Sequence, residues 1–195
     1  MAMPVFRELD ELVLRAKEGA VTVSEIEAVA SALSSRGNVA DTYRMVYILG
    51  RMGCYQYEDL LARFLNFPSE PQVAGLVISI LCSQWGLAAK YRDELLQALR
   101  SHPWDVDNEV RLVAISASGK YLVSNSDCDV LVRLIEIAES DDYSHMRRFA
   151  LEALSRSLGA GYSEAVMPSD QVAKATWSRE IMDQARSSML KDCVK

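Results

Sequence analysis

One pattern of offsets recurs four times along the chain. Val110-Arg111, Ala114 and Ala117-Ser118-Gly119 are matched by Met146-Arg147, Ala150 and Ala153-Leu154-Ser155. The same spacing holds for Val73-Ala74, Val77 and Ile80-Leu81-Cys82. It holds also for Asp41-Thr42, Met45 and Ile48-Leu49-Gly50, less well at the first position. The starts at 41, 73, 110 and 146 are separated by 32, 37 and 36 residues. Such a unit holds one helix, a short turn and a second helix. Neither helix buries its apolar stripe alone, and stacking of neighbouring pairs supplies the missing surface.

Local signals agree with helices throughout. Val, Ile and Leu recur at three and four residues, and sustained period-two alternation is rare. Ser24-Glu25-Ile26-Glu27 and Ser69-Glu70-Pro71-Gln72 have the form of capping boxes, the second with a proline suited to a first turn. Ser126-Asp127-Cys128-Asp129 is a weaker third, and Ser169 after Pro168 is a fourth candidate start. Gly19, Gly37, Gly53, Gly86 and Gly159 each follow a periodic apolar segment and read as stops. The expected helices are 5–18, 24–36, 39–52, 55–66, 70–85, 89–101, 107–122, 127–139, 143–158 and 169–190. In the last, Val172, Ala175, Met182, Ala185 and Met189 are expected to face the preceding pair while Lys174, Arg179, Asp183, Arg186 and Lys191 stay wet.

Asp107-Asn108-Glu109-Val110-Arg111-Leu112-Val113-Ala114, ending at Ala117-Ser118-Gly119, resembles the first-helix pattern of the HEAT-repeat (armadillo-like) superfamily: an acid, Val-Arg, spaced alanines and a final glycine. His145-Met146-Arg147-Arg148-Phe149-Ala150 with Ala153-Leu154 is the next best match. Thr42 and Ala74 stand where the family prefers Arg, so the first two units rest on period. The resemblance implies an all-α chain, a short right-handed HEAT-like α-solenoid of stacked antiparallel helix pairs. Residues 1–195 form a single domain in this expectation, with 1–38 as N-terminal capping helices and 39–190 as about four repeats. It also implies binding rather than catalysis, often with the second helices lining a concave face.

Composition narrows the partners. The chain has 195 residues, half of them apolar, and a formal charge of -6, which suits a globular domain and not a non-specific nucleic-acid binder. Arg7, Glu8, Asp10 and Glu11 break up the segment Met1 to Leu14, so no secretory signal is expected there. The longest apolar stretch, Val73 to Cys82, is about half the ~20 residues a bilayer requires, so no membrane is expected as a partner. Cys54, Cys82, Cys128 and Cys193 lack CxxC spacing, and His102 and His145 stand far apart. Free thiols in a reducing cytoplasm are therefore expected, with no metal and no cofactor.

Charge is polarised between helices. Segment 127–142 holds Asp127, Asp129, Glu136, Glu139, Asp141 and Asp142 against Arg133 alone, a net of -5, whereas 144–156 carries +2. If second helices line the groove, that wall attracts a basic protein patch and repels phosphate; as a bland alternative it is a solvated face. Asp129, Glu136 and Glu139 recur at helical spacing and are the expected partner-binding residues, with Tyr43 and Tyr47 as aromatic anchors on one helix face. Trp104 in His102-Pro103-Trp104-Asp105, and Trp85 at a helix end, read as plugs between repeats. Trp177 is open to either side. No nucleophile motif, HExxH, Walker loop or GxGxxG is present, and the near pairs His102/Asp105 and Asp141/Asp142/His145 lack a nucleophile. The expectation is a non-catalytic protein-protein module without nucleic acid, an immunity protein that occludes a basic toxin enzyme being the sharpest form. A general adaptor or assembly factor and a HEAT-like DNA glycosylase are the alternatives.

Overall fold

The computed structural model describes residues 6–35, 39–139, 144–159 and 169–193. Every regular element among them is helical. The order is α1 (Phe6–Lys17), α2 (Val23–Ser34), α3 (Val39–Arg51), a 3-10 turn at Tyr55–Tyr57 leading into α4 (Glu58–Ala62), and α5 (Pro71–Ile78), which continues as a π-helical segment Ser79–Gln84. Then follow α6 (Arg92–Leu99), α7 (Glu109–Leu122), α8 (Cys128–Glu139), α9 (Ser144–Ser157) and α10 (Gln171–Asp192). No described helix is long and apolar enough to cross a membrane.

The odd-numbered helices α1, α3, α5, α7 and α9 pack in succession, each on the next. Beside them, α6 packs on α7 and α8, and α8 packs on α9 and α10. One apolar cluster runs from Leu9 to Ala185. The repeated positions are its spine: Met45, Leu49, Val73, Val77, Leu81, Val110, Ala114, Ala117, Met146, Ala150 and Leu154 are all buried. Small residues bring α7 and α9 closest, since a Cβ on Gly119 would lie 2.8 Å from the Ala153 Cα. Between α6 and α7, His102 stacks on Trp104 at 4.5 Å, and Trp104 packs on the core as a plug. Trp85 likewise closes the end of α3, donating its Nε1–H to the Gly50 carbonyl at 3.3 Å.

Helix starts depart from expectation by up to three residues, as at α6, which begins at Arg92 and not at 89. Thr22, not Ser24, caps α2: the Glu25 amide donates to Thr22 Oγ1 while the Thr22 amide donates to Glu25 Oε2 at 2.8 Å. Glu25 is held there by Arg15, which is why this threonine prevails. At α8 and α10 the aspartate after each expected serine does the capping. Asp127 accepts from the Val130 amide, and Asp170 accepts from the Ala173 amide. A carboxylate is the stronger acceptor at the positive end of a helix. The Ser69 box does not form; α5 starts at Pro71 without a side-chain cap. Gly19, Gly53, Gly86 and Gly159 take positive φ at their helix ends, and Gly37 lies outside the described residues.

Two further corrections concern α10. Its buried stripe is Trp177, Ile181 and Ala185, whereas Val172 and Ala175 are exposed. Its last turn also carries Cys193 to Cys128 at the start of α8, and the two form a disulfide with Cα atoms 5.5 Å apart across 65 residues. Free thiols therefore hold for Cys54 and Cys82 only, both buried. A 65-residue separation has no local spacing to betray it; packing of α10 on α8 makes the pair.

Candidate functional site

The helical period sets one face of α8 outward. Val130, Leu134, Ile135, Ile137 and Ala138 are buried, so Asp129, Glu136 and Glu139 are exposed as a set. Each carboxylate has an arginine of the same chain. Asp129 pairs with Arg92 at the start of α6, Glu136 with Arg133 at 2.7 Å, and Glu139 with Arg186 of α10 at 2.7 Å. Asp141 and Asp142 lie outside the described residues. The described part of the acidic run is thus partly compensated, which weakens its long-range field. The pairing also orients the carboxylates, so less side-chain entropy is lost when a partner donates to them.

Asp127 sets the base of this face. Arg92 donates to it through Nε at 2.6 Å and Nη2 at 3.0 Å, and the Tyr121 hydroxyl and Val130 amide each donate at 3.2 Å. Burial pushes the Asp127 carboxyl up, but these donors outweigh it and hold the group below the usual aspartate range. The same two aspartates, Asp127 first, raise the Arg92 guanidinium. Asp127 is therefore a clamp between α6, α7 and α8.

A shallow groove runs beside the clamp between α6, α8 and the last turn of α10. Asp129 and Glu136 line it from α8 with Val132 between them in sequence; Leu96 and Met189 supply apolar walls, and Arg100 and Arg133 add positive charge. The Cys128–Cys193 disulfide is part of its lining. Glu139 is not part of its lining.

The aromatic candidates sit elsewhere. Tyr43 is exposed on α3 and lines a mostly apolar groove with Gly75, Leu76 and Val113. Tyr47 is half-buried and does not line that groove. Tyr55 packs against Trp85, with ring centroids 4.6 Å apart and planes tilted by 34°. The structure does not bring Tyr43 to the α6/α8/α10 groove.

Asp105 is structural. Its two oxygens accept from the Val110 and Arg111 amides at 3.2 and 3.0 Å, satisfying the start of α7. His102 is buried, and burial holds its imidazole below the usual histidine range. His145 is exposed at the start of α9. Arg111 donates to the Leu99 carbonyl at 3.1 Å, joining α7 to the end of α6. Among the described residues no group of three His, Cys, Asp or Glu side chains converges as a metal-binding set.

What the sequence alone missed is a basic groove between α9 and α10, lined by Arg147, Arg148, Lys174, Arg179 and Arg186, with Asp183 as the one acid among the described lining residues. The +2 on α9 was a partial signal; the cations of α10 join it only through packing. No family model, no curated protein and no solved structure matches this chain.

Proposed function

We propose that this chain is a non-catalytic protein-interaction module, a short right-handed HEAT-like solenoid whose ligand is another protein docked along α8. The succession of odd-numbered helices, with α6, α8 and α10 beside it, supports the solenoid: α1 to α9 in the odd series, and α6, α8 and α10 in the even one, each pack on the counterpart one repeat away. The observation that carries the binding site is the α6/α8/α10 groove, where arginine-held carboxylates stand beside Leu96, Val132 and Met189. Apolar walls exclude water, and oriented acceptors receive Lys or Arg from the partner.

A toxin enzyme with a basic cleft is the partner class we favour, which would make this chain an immunity protein, because such a cleft presents Lys and Arg donors to the carboxylates of this surface. The duplex-binding alternative is disfavoured by carboxylates along the exposed face of α8. The disulfide favours an oxidising compartment over the cytoplasm expected from the cysteine spacing.

The test is capture with the full chain as bait under non-reducing conditions, then calorimetry on the captured protein. The triple variant Asp129→Asn, Glu136→Gln, Glu139→Gln should retain its helicity and bind at least about tenfold more weakly, a loss of ~1.4 kcal/mol. Unchanged affinity in the folded variant refutes docking on α8 and moves attention to the Tyr43 groove.

A further inference from the structure

The groove between α9 and α10 has a character opposite to that of α8. Arg147 and Arg148 stand on one bank, and Lys174, Arg179 and Arg186 on the other, against Asp183. Some of this charge is matched: Arg148 pairs with Glu152 at 3.3 Å, and Arg186 with Glu139 at 2.7 Å. Neither Lys174 nor Arg179 has a side-chain ion pair among the described residues. The excess is therefore local to α10 and survives in a chain whose formal charge is -6. Leu151, Ala175 and Met182 line the same groove between the two banks. A thioether beside small apolar groups adapts to varied apolar side chains.

We infer that this groove is a second docking surface, separate from α8, and that it takes an acidic amphipathic segment of another protein. Charge complementarity selects the acidic character: carboxylates pair with Lys174 and Arg179 on the α10 bank. The floor selects the amphipathic character, since a segment with one apolar edge removes Leu151 and Met182 from water while its acids reach the rims. A nucleic-acid backbone suits it less. Asp183 within the groove, and Glu139 paired with Arg186 of its lining, oppose a continuous line of phosphates, and the described lining residues include no aromatic ring for base stacking.

Fluorescence anisotropy with a labelled helix-forming peptide of Glu on one face and Leu on the other provides the test. It uses the full chain under non-reducing conditions at low and moderate salt. The peptide should bind and weaken as salt rises. The double variant Lys174→Glu, Arg179→Glu should lose roughly tenfold or more in affinity. A charge-matched control, Lys17→Glu with Lys191→Glu, should lose about threefold or less, because those lysines lie outside the groove and act only through net charge. Circular dichroism checks that both variants keep wild-type helicity. Absence of peptide binding at low salt, equal losses in the two variants, or tighter binding of a duplex DNA probe than of the peptide would each overturn the inference. None of these measurements alters Asp129, Glu136 or Glu139, so failure here is distinct from failure of the α8 surface.

Discussion

Alanine placed at Gly119 and at Gly75 should act in opposite directions, although both glycines are buried within helices. At Gly119 the new Cβ would meet the Ala153 Cα at 2.8 Å, and the Ala153 Cβ and carbonyl oxygen at 2.9 Å. Comfortable carbon–carbon contact lies near 3.5 Å or beyond, so α7 and α9 would have to part by roughly 0.7 Å. The obstacle is backbone, which no rotamer change relieves. Parting the helices loosens Ala117, Ala150 and Leu154, which are essentially inaccessible to solvent. Overpacking of this kind costs about 1–3 kcal/mol, and here the upper part of that range applies. The gain in helix propensity from Gly to Ala returns only ~0.5–1 kcal/mol, leaving a net loss of about 2 kcal/mol. At Gly75 the nearest atoms are Val113 Cγ2 at 3.6 Å and Val110 Cα at 3.9 Å, ordinary contact distances. There the propensity gain stands alone, and Gly75→Ala should stabilise by about 0.5–1 kcal/mol. Urea unfolding followed by far-ultraviolet circular dichroism under non-reducing conditions measures both. A Gly119→Ala protein as stable as wild type would refute the close α7–α9 approach, and a Gly75→Ala protein destabilised equally would refute the room between α5 and α7.

Leu49→Ala and Leu154→Ala should each cost about 2–5 kcal/mol in the same assay, and a loss below about 1 kcal/mol at both would remove them from the core. Reducing Cys128–Cys193 should destabilise by up to about 4 kcal/mol from the loop entropy of 65 residues. Burial pushes the Cys82 thiol up to about 12, so native-state alkylation at neutral pH should leave it unmodified; rapid labelling would contradict its burial. The Arg15 guanidinium first, then the Thr22 amide and hydroxyl, hold Glu25 at about 2. Its contribution is present above the ordinary value of 4.5 and is lost as pH falls from there through about 2. Glu25→Gln should therefore be less stable at neutral pH and lose less on acidification; an unchanged acid limb would count against the Arg15–Glu25 pair.

Short-range physics explains what could be read from the residues alone. Apolar spacing of three and four residues reports which side of a helix is greasy whatever the helix meets, so Val110, Ala114, Met146 and Leu154 were identifiable as core before any contact was known. Helix ends were legible to within three residues except at α4, which stops at Ala62 and not at 66. The choice between Ser126 and Asp127, or Ser169 and Asp170, turned on which acceptor reached the amide. The long α10 carries overlapping apolar stripes, and periodicity does not say which one a neighbour covers; packing on α8 and α9 selected Trp177, Ile181 and Ala185. Charge was the least local property. A count along segment 127–142 returns a strongly acidic helix, yet Arg92 reaches Asp129 from 37 residues away and Arg186 reaches Glu139 from 47. The same packing joins Cys128 to Cys193 and sets the cations of α9 beside those of α10. Hydrophobic pattern is carried by each helix separately and survives in the linear string. Electrostatic surfaces and cross-links are properties of pairs of helices, and only the tertiary structure determines which helices are paired.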